Sequence, residues 1–259
     1  VSMPEHFKSN GYWTASVGKI FHSTRHQQGE VAWHEQIMFQ NDELPQVTKA
    51  RQTYEAKNGS VDLRANRKNW KAHLQKLSTQ TRGQTPPGYG PTGLRDEQHK
   101  DGKNVRQIIN WIDQKKYGEK PFFIACGIQK PHVPFLAPQK YFDQYPPKEL
   151  KLPLSPANDW RDIPKLAMVK RFQAFGFEMG RENDSLRREY TQAYHACISY
   201  IDAQLGLLFK SLREHNLWDN TIVIFTSDHG YHLGEHFMWG KVTLFEECAR
   251  VPLIIRVPG

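Results

Sequence analysis

The chain has 259 residues, enough for one large domain or two small ones, and its hydrophobic (38%) and aromatic (12%) content can build a sizeable core and excludes a disordered polymer. No apolar run approaches the roughly 18 residues of a membrane-spanning helix. The balance of 35 Lys+Arg against 27 Asp+Glu, a net +8, favours an anionic partner without choosing among nucleic acid, a polyanionic glycan, a membrane surface or a small acid.

In chain order, residues 2–9 predict a short helix with Pro4 in its first turn and a stop at Asn10-Gly11. A strand comes next, from Tyr12 to Val17. Residues 23–100 are polar, rich in Gln, Asn, Gly, Lys and Arg, and read as a long insertion-like excursion with one helix around 62–77. Asn104 to Lys115 reads as a helix with Val105, Ile108, Ile109 and Ile112 on one stripe. Phe122 to Ile128 is a continuous apolar run, the mark of a strand buried on both faces. Prolines 131, 134 and 138 break the segment after this strand, with a short helix near Lys140 to Gln144. Residues 146–185 are loop-like. The clearest helix spans 185–214, where Tyr190, Tyr194, Cys197, Ile201, Leu205 and Leu212 recur at helical spacing. Thr221 to Ser227 and Val251 to Val257 predict two more buried strands. Helices alternate with buried strands, so the fold class is α/β, with a mainly parallel central sheet flanked by helices. There is no internal repeat. The bare ends suggest an excerpt from a longer chain, and the first residues do not form a signal peptide. Cys126, Cys197 and Cys248 show neither metal-type spacing nor a disulfide framework, and read as buried small hydrophobes.

In an open parallel sheet, sites form past the carboxyl ends of strands. Polar residues collect there. The first strand is followed by Gly18-Lys19-Ile20-Phe21-His22, the second by Lys130-Pro131-His132-Val133-Pro134-Phe135. The third leads into Ser227-Asp228-His229-Gly230, then Leu233-Gly234-Glu235-His236 and Trp239-Gly240-Lys241. Asp228-His229 suits an Asx turn with a surface histidine, or a divalent cation. Lys19, His22 and Lys241 alone would pass as solvated loop residues, and His132 as part of a proline-rich surface loop. Together they would make a positive pocket for a tetrahedral oxyanion, with lysine supplying charge and histidine a proton or hydrogen bond.

These segments resemble the sulfatases of the alkaline-phosphatase-like superfamily, most closely the iduronate-2-sulfatase-like branch. Thr226-Ser227-Asp228-His229-Gly230 followed by Leu233-Gly234-Glu235-His236 and a lysine is specific. Gly18-Lys19-Ile20-Phe21-His22 and Lys130-Pro131-His132-Val133-Pro134-Phe135 point to the branch; residues 23–100 and 146–185 match weakly. The resemblance implies an alkaline-phosphatase-like fold, incomplete at both ends, with residues 1–259 part of the N-terminal catalytic domain. It implies Ca2+ held by Asp228 and His229, and Lys19, His22, His132 and Lys241 gripping a sulfate and assisting its transfer. It also implies a sulfated carbohydrate partner and a secreted, periplasmic or lysosomal setting; no nucleic-acid partner is expected, because no nucleic-acid motif is visible and the aromatics sit in core-like runs rather than on a basic stripe. The family's nucleophile is a formylglycine made from a cysteine in a C-x-P/A-x-R motif. None of the three cysteines here lies in one, so the expectation is a truncated chain that is inactive by itself. A phosphodiesterase or phosphonate hydrolase on the same scaffold, or a non-catalytic basic glycan-binding protein, are the alternatives. Substrate specificity is expected in the weakly matched stretches, with Arg64, Arg67, Lys68 and Trp70 as candidates against the plainer reading of a solvated basic face.

Overall fold

The computed structural model describes residues 1–21, 29–39, 45–61, 63–80, 89–167, 173–174, 177–178 and 183–259. Helix α1 (Met3–Ser9) begins at a capping box: the Ser2 hydroxyl accepts from the Glu5 N–H and the Glu5 carboxylate accepts from the Ser2 N–H. Strand β1 (Trp13–Gly18) is followed by a single turn, α2 (Gly29–Ala32), and β2 (Glu35–Ile37). Helices α3 (Pro45–Asn58) and α4 (Arg64–Gln80) come next, then β3 (Tyr89–Thr92). Helix α5 (Lys100–Asp113) buries Val105, Ile108, Trp111 and Ile112 on one stripe. Strands β4 (Phe122–Gly127) and β5 (Phe135–Pro138) precede the one-turn α6 (Gln139–Phe142). Two-residue strands β6 (Gln173–Ala174) and β7 (Phe177–Glu178) pair antiparallel. Helix α7 (Asp184–Glu214) starts at Asn183, whose side chain accepts from the Leu186 N–H. Strands β8 (Val223–Thr226), β9 (His232–Leu233) and β10 (Trp239–Gly240), the one-turn α8 (Glu246–Ala249) and β11 (Leu253–Arg256) complete the order.

The sheet that matters for function is three-stranded and parallel, in the order β2-β1-β4. Strand β1 is buried along its whole length, as befits a central strand, and its register with β4 runs from Trp13 opposite Phe122 to Gly18 opposite Gly127. A second parallel pair joins β3 to β5. One core packs Trp13 and Val17 of β1 against Ile108, Trp111 and Ile112 of α5, with the Trp13 and Trp111 rings edge to face at 5.7 Å. The other packs α7, through Tyr190, Cys197 and Tyr200, against Phe135 of β5, Tyr141 and Phe142 of α6, and Trp239 of β10. Burying a ring such as that of Phe135, which is fully enclosed, contributes about 3 kcal/mol.

Five expectations need correction. The polar excursion contains three α-helices among its described residues, not one: α4 covers the predicted region, α2 is a single turn, and α3 carries no apolar stripe that periodicity could register. Strand β3 contains Gly90 and Pro91, both poor strand formers, and is held by its pairing to β5. Strands β8 and β11 pair with each other and antiparallel, from Val223 opposite Arg256 to Thr226 opposite Leu253. A parallel return needs a long crossover, and the chain comes back through the short β9 and β10 and the four-residue α8. Nor are these two strands buried: Ile224 is 56% exposed, Leu253 65%, Ile254 61% and Ile255 54%. Likewise β4 is only partly buried, and Cys126 on it keeps some exposed surface. No helix among the described residues is long and apolar enough to cross a membrane.

Candidate active site

The site begins where β1 and β4 end side by side. Gly18 has φ +78°, and a Cβ there would stand 2.2 Å from the Gly127 carbonyl oxygen; a Cβ on Gly127 would stand 2.4 Å from the Lys19 nitrogen. Only glycines let the two backbones close this far, and the contact sets Lys19 beside the loop that leaves β4. That loop is tethered from beneath. Asp101, buried in the first turn of α5, accepts from the backbone N–H of Gln129 (2.9 Å) and of Lys130 (2.8 Å). Asn104, one turn further along α5, donates to the Gly127 carbonyl at 3.0 Å. The Lys130 ammonium, itself buried, donates to the Pro134 carbonyl at 2.8 Å. The loop between Gln129 and Pro134 is thereby fixed, and it carries His132.

His132 donates from Nδ1 to the Val133 carbonyl at 2.7 Å, which leaves its Nε2 with a lone pair when the ring is neutral. Burial lowers its pKa below the ordinary histidine value; the hydrogen bond to the Val133 carbonyl opposes this, and Lys241, Lys19 and His229 lower it further. The imidazole therefore sits in the field of both lysines. Lys241 itself is pushed down by burial and then by Lys19, with Asp228 opposing.

The other side of the site comes from β8 and the turns after it. The Ser227 hydroxyl donates to the His229 carbonyl at 2.9 Å, closing a tight turn at the strand end. Gly230 donates to the Cys248 carbonyl at 2.8 Å, and a Cβ there would lie 2.0 Å from the Glu247 carbonyl oxygen, so this turn also demands glycine. Lys241 follows β10, whose Trp239 ring meets Tyr190 of α7 at 5.5 Å; the core thus anchors the lysine's backbone. His229 donates from Nδ1 to the Gly230 carbonyl at 2.8 Å and accepts at Nε2 from the Lys241 ammonium at 2.9 Å. Lys19 reaches Asp228 at 3.6 Å, and His229 lies 3.7 Å from the same carboxylate. Burial pushes the Asp228 carboxyl up, but His229, Lys19 and Lys241 together hold it below its ordinary value.

Five of the six residues singled out from the sequence thus meet: Lys19, His132, Asp228, His229 and Lys241. His22 lies outside the described residues. Asp101 and Asn104, which hold the His132 loop, escaped the sequence reading, because an acidic residue in a helix's first turn is commonplace. Glu235 and His236 turn away from the cluster: Glu235 accepts from the Leu233 N–H at 2.6 Å, and His236 pairs with Asp159 at 2.8 Å. The cysteines are placed as packing groups. Burial, and then the Asp101 carboxylate, push the Cys126 thiol up to about 12, far from a reactive thiolate. Cys197 lies in the α7 core, and the buried Cys248 donates to the Gly240 carbonyl.

Sulfatases typically use a metal ion. Calcium takes six to eight oxygens. Asp228 offers one carboxylate, and the Nε2 of His229 is engaged by Lys241. No group of three or more His, Cys, Asp or Glu among the described residues could hold a metal ion. These residues therefore do not by themselves fit a calcium site.

Two ammonium groups and two imidazoles are thus gathered past the ends of the parallel strands β1 and β4 and of the antiparallel strands β8 and β10, an arrangement whose chemistry suits an oxyanion. The chain belongs to the sulfatase family, whose profile matches residues 1–259. It is 31% identical over 272 residues to iduronate 2-sulfatase of Mus musculus, covering all of this chain and 45% of that protein. It is 30% identical over 262 residues to a sulfatase of Formosa agariphila, covering all of this chain and 47% of that one. Its fold is similar to that of the phosphonate monoester hydrolase of Agrobacterium radiobacter, with a TM-score of 0.65 at 18% identity over 100% of this chain and 53% of that one. The chain spans about half the length of the curated relatives it matches.

Proposed function

We propose that residues 1–259 form the sulfate-holding part of the catalytic domain of a sulfuric ester hydrolase acting on a sulfated sugar, in the manner of the iduronate 2-sulfatases. The observation that carries this reading is the convergence of Lys19, His132 and Lys241: burial first, and the neighbouring lysines after it, lower the proton affinity of His132, as burial and then Lys19 lower that of Lys241. Like charges held together by a fixed scaffold are a site preorganised for an anion. Lys19 and Lys241 grip the non-bridging oxygens of a sulfate ester. The arriving negative charge raises the pKa of His132, whose Nε2 takes up a proton and points it at the bridging oxygen. As a nucleophile bonds to the sulfur and the S–O bond to the sugar breaks, that proton passes to the departing sugar oxygen, so the sugar leaves as a neutral alcohol. The attacking group is none of the three cysteines as they stand, and the 259-residue polypeptide alone is expected to release no sulfate.

The test uses the full-length protein and an aryl sulfate. Lys19→Ala and His132→Ala should each lower kcat/KM by about 10²–10³-fold with a thermal midpoint close to the wild type. Wild-type rates in both variants would remove these residues from the reaction. A phosphonate monoester turned over faster than the sulfate ester would favour the phosphonate-hydrolase alternative.

A further inference from the structure

The basic excess of the chain is concentrated in a stretch of sequence that contributes no residue to the cluster just described. Residues 45–80 contain eight Lys or Arg and two Asp or Glu, a net +6 within a chain of net +8. Residues 45–61 and 63–80 of this stretch form the α3–α4 hairpin. The described residues at its turn are tied by hydrogen bonds: Gly59, at φ +77°, donates to the Glu55 carbonyl, and the Asn66 amide donates to the carbonyls of Asn58 and Ser60 at 2.8 and 3.0 Å. The Glu55 carboxylate is spent inside that turn, accepting from the Val61 N–H at 3.0 Å and from Arg51 at 3.2 Å. Beside the turn lies a hollow of about 380 Å³, lined by Lys49, Thr53, Tyr54, Lys57, Asn58 and His73 among others. Trp70 stacks on His73, with centroids 5.5 Å apart and planes 19° apart, and Tyr54 meets both rings. Lys49 and Lys57 are exposed and have no acidic partner among the described residues. Eight residues apart on one helix, they share a face about 12 Å from end to end.

We propose that this hollow is a binding site for a sulfated oligosaccharide, separate from the site of sulfate transfer. The aromatic wall of Tyr54 and His73, backed by the Trp70 ring that stacks on His73, offers an apolar face to a sugar ring, Thr53 and Asn58 offer hydrogen bonds to its hydroxyls, and Lys49 and Lys57 grip two anionic groups. The lysine spacing requires a ligand of more than one sugar unit, so a monosaccharide sulfate fills only half of it. The assignment of a sulfated glycan over other polyanions rests on the sulfatase reading above. Of the four residues singled out in this stretch from the sequence, none lines the hollow: Trp70 stands behind it against His73, and Arg64, Arg67 and Lys68 lie on exposed helix surface.

The experiment measures equilibrium binding of a heparin-derived hexasaccharide, its desulfated counterpart and a single-stranded oligonucleotide to the full-length protein. The expected result is selective binding of the sulfated hexasaccharide, weakened about fivefold by Trp70→Ala and about tenfold or more by Lys49→Gln combined with Lys57→Gln. The salt dependence should fall in the double lysine variant, and both variants should keep wild-type turnover of a small aryl sulfate and a wild-type helical circular dichroism spectrum. Unchanged hexasaccharide affinity in both variants overturns the proposal. So does an oligonucleotide that binds as tightly and loses as much, or a desulfated ligand that binds equally well. Absent turnover of the aryl sulfate by the wild type would count against the sulfatase reading alone, because binding at the hairpin is measured without it.

Discussion

His132 is a histidine whose charge depends on what occupies the site. In the free protein, burial first and the surrounding cations after it lower its pKa and so favour the neutral ring. A bound tetrahedral anion supplies the opposite charge and raises its pKa, so a proton is taken up on binding. The sign is then fixed: affinity for inorganic sulfate is flat at high pH and climbs as pH falls through the raised, anion-bound pKa. It levels off below the free-site pKa, which lies under 6.5. Isothermal titration calorimetry of sulfate from about pH 8 to about pH 5 should show this rise, and His132→Gln should flatten it. An identical rise in that variant would place the proton elsewhere. Asp101 acts one step behind. Its two oxygens each accept one backbone N–H of the loop, so Asp101→Asn sets an amide N–H₂ against one of them. The expected cost is about 1.5–3 kcal/mol in stability, with kcat for an aryl sulfate down about tenfold and KM little changed. A loss in KM alone would make Asp101 a binding rather than a positioning residue.

The paired ends of β1 and β4 show what an element contributes beyond carrying residues. Gly127 sits against the Lys19 backbone with no room for a methyl group. Gly127→Ala should therefore cost about 3 kcal/mol by forcing the strand ends apart, and should lower turnover as Lys19 is displaced. A denaturant melt of the variant that overlays the wild type would show that the strand ends are more pliable than drawn. Much of this geometry was legible in the chain. Apolar runs mark the strands, and Lys19, His132 and Lys241 are legible as site residues because each stands just beyond such a run or its turns. The partners of His229 were not legible. An imidazole after a strand reads as a cation ligand, whereas its Nε2 accepts from Lys241, a residue twelve positions away that only the β9–β10 turn brings round. Strand direction was equally hidden, since the apolar runs of β8 and β11 are identical read parallel or antiparallel.

At the scale of the whole molecule, the described residues divide their labour unevenly. The enclosed cores lie under β1 and α7, the candidate site sits at the strand ends, and most of the net charge rides on one helical hairpin. The pair β8–β11 touches the core through Val223 but keeps Ile224, Phe225, Leu253, Ile254 and Ile255, with Ile222 just before β8, all more than a third exposed. Apolar side chains on both faces of a two-stranded ribbon with open edges make an adhesive surface for other β-segments. The 259-residue polypeptide should accordingly bind the dye ANS and form larger species in sedimentation velocity as its concentration rises. Ile224 and Ile255 are directly opposed in the ribbon. Replacing them as Ile224→Lys with Ile255→Glu should lower both signals while keeping the cross-strand pair complementary. A polypeptide that stays monomeric and dark with ANS at about 100 μM would contradict this. The ribbon that delivers Asp228 and His229 to the site is thus also the part of the molecule that governs its colloidal behaviour, and recombinant handling of this chain turns on it.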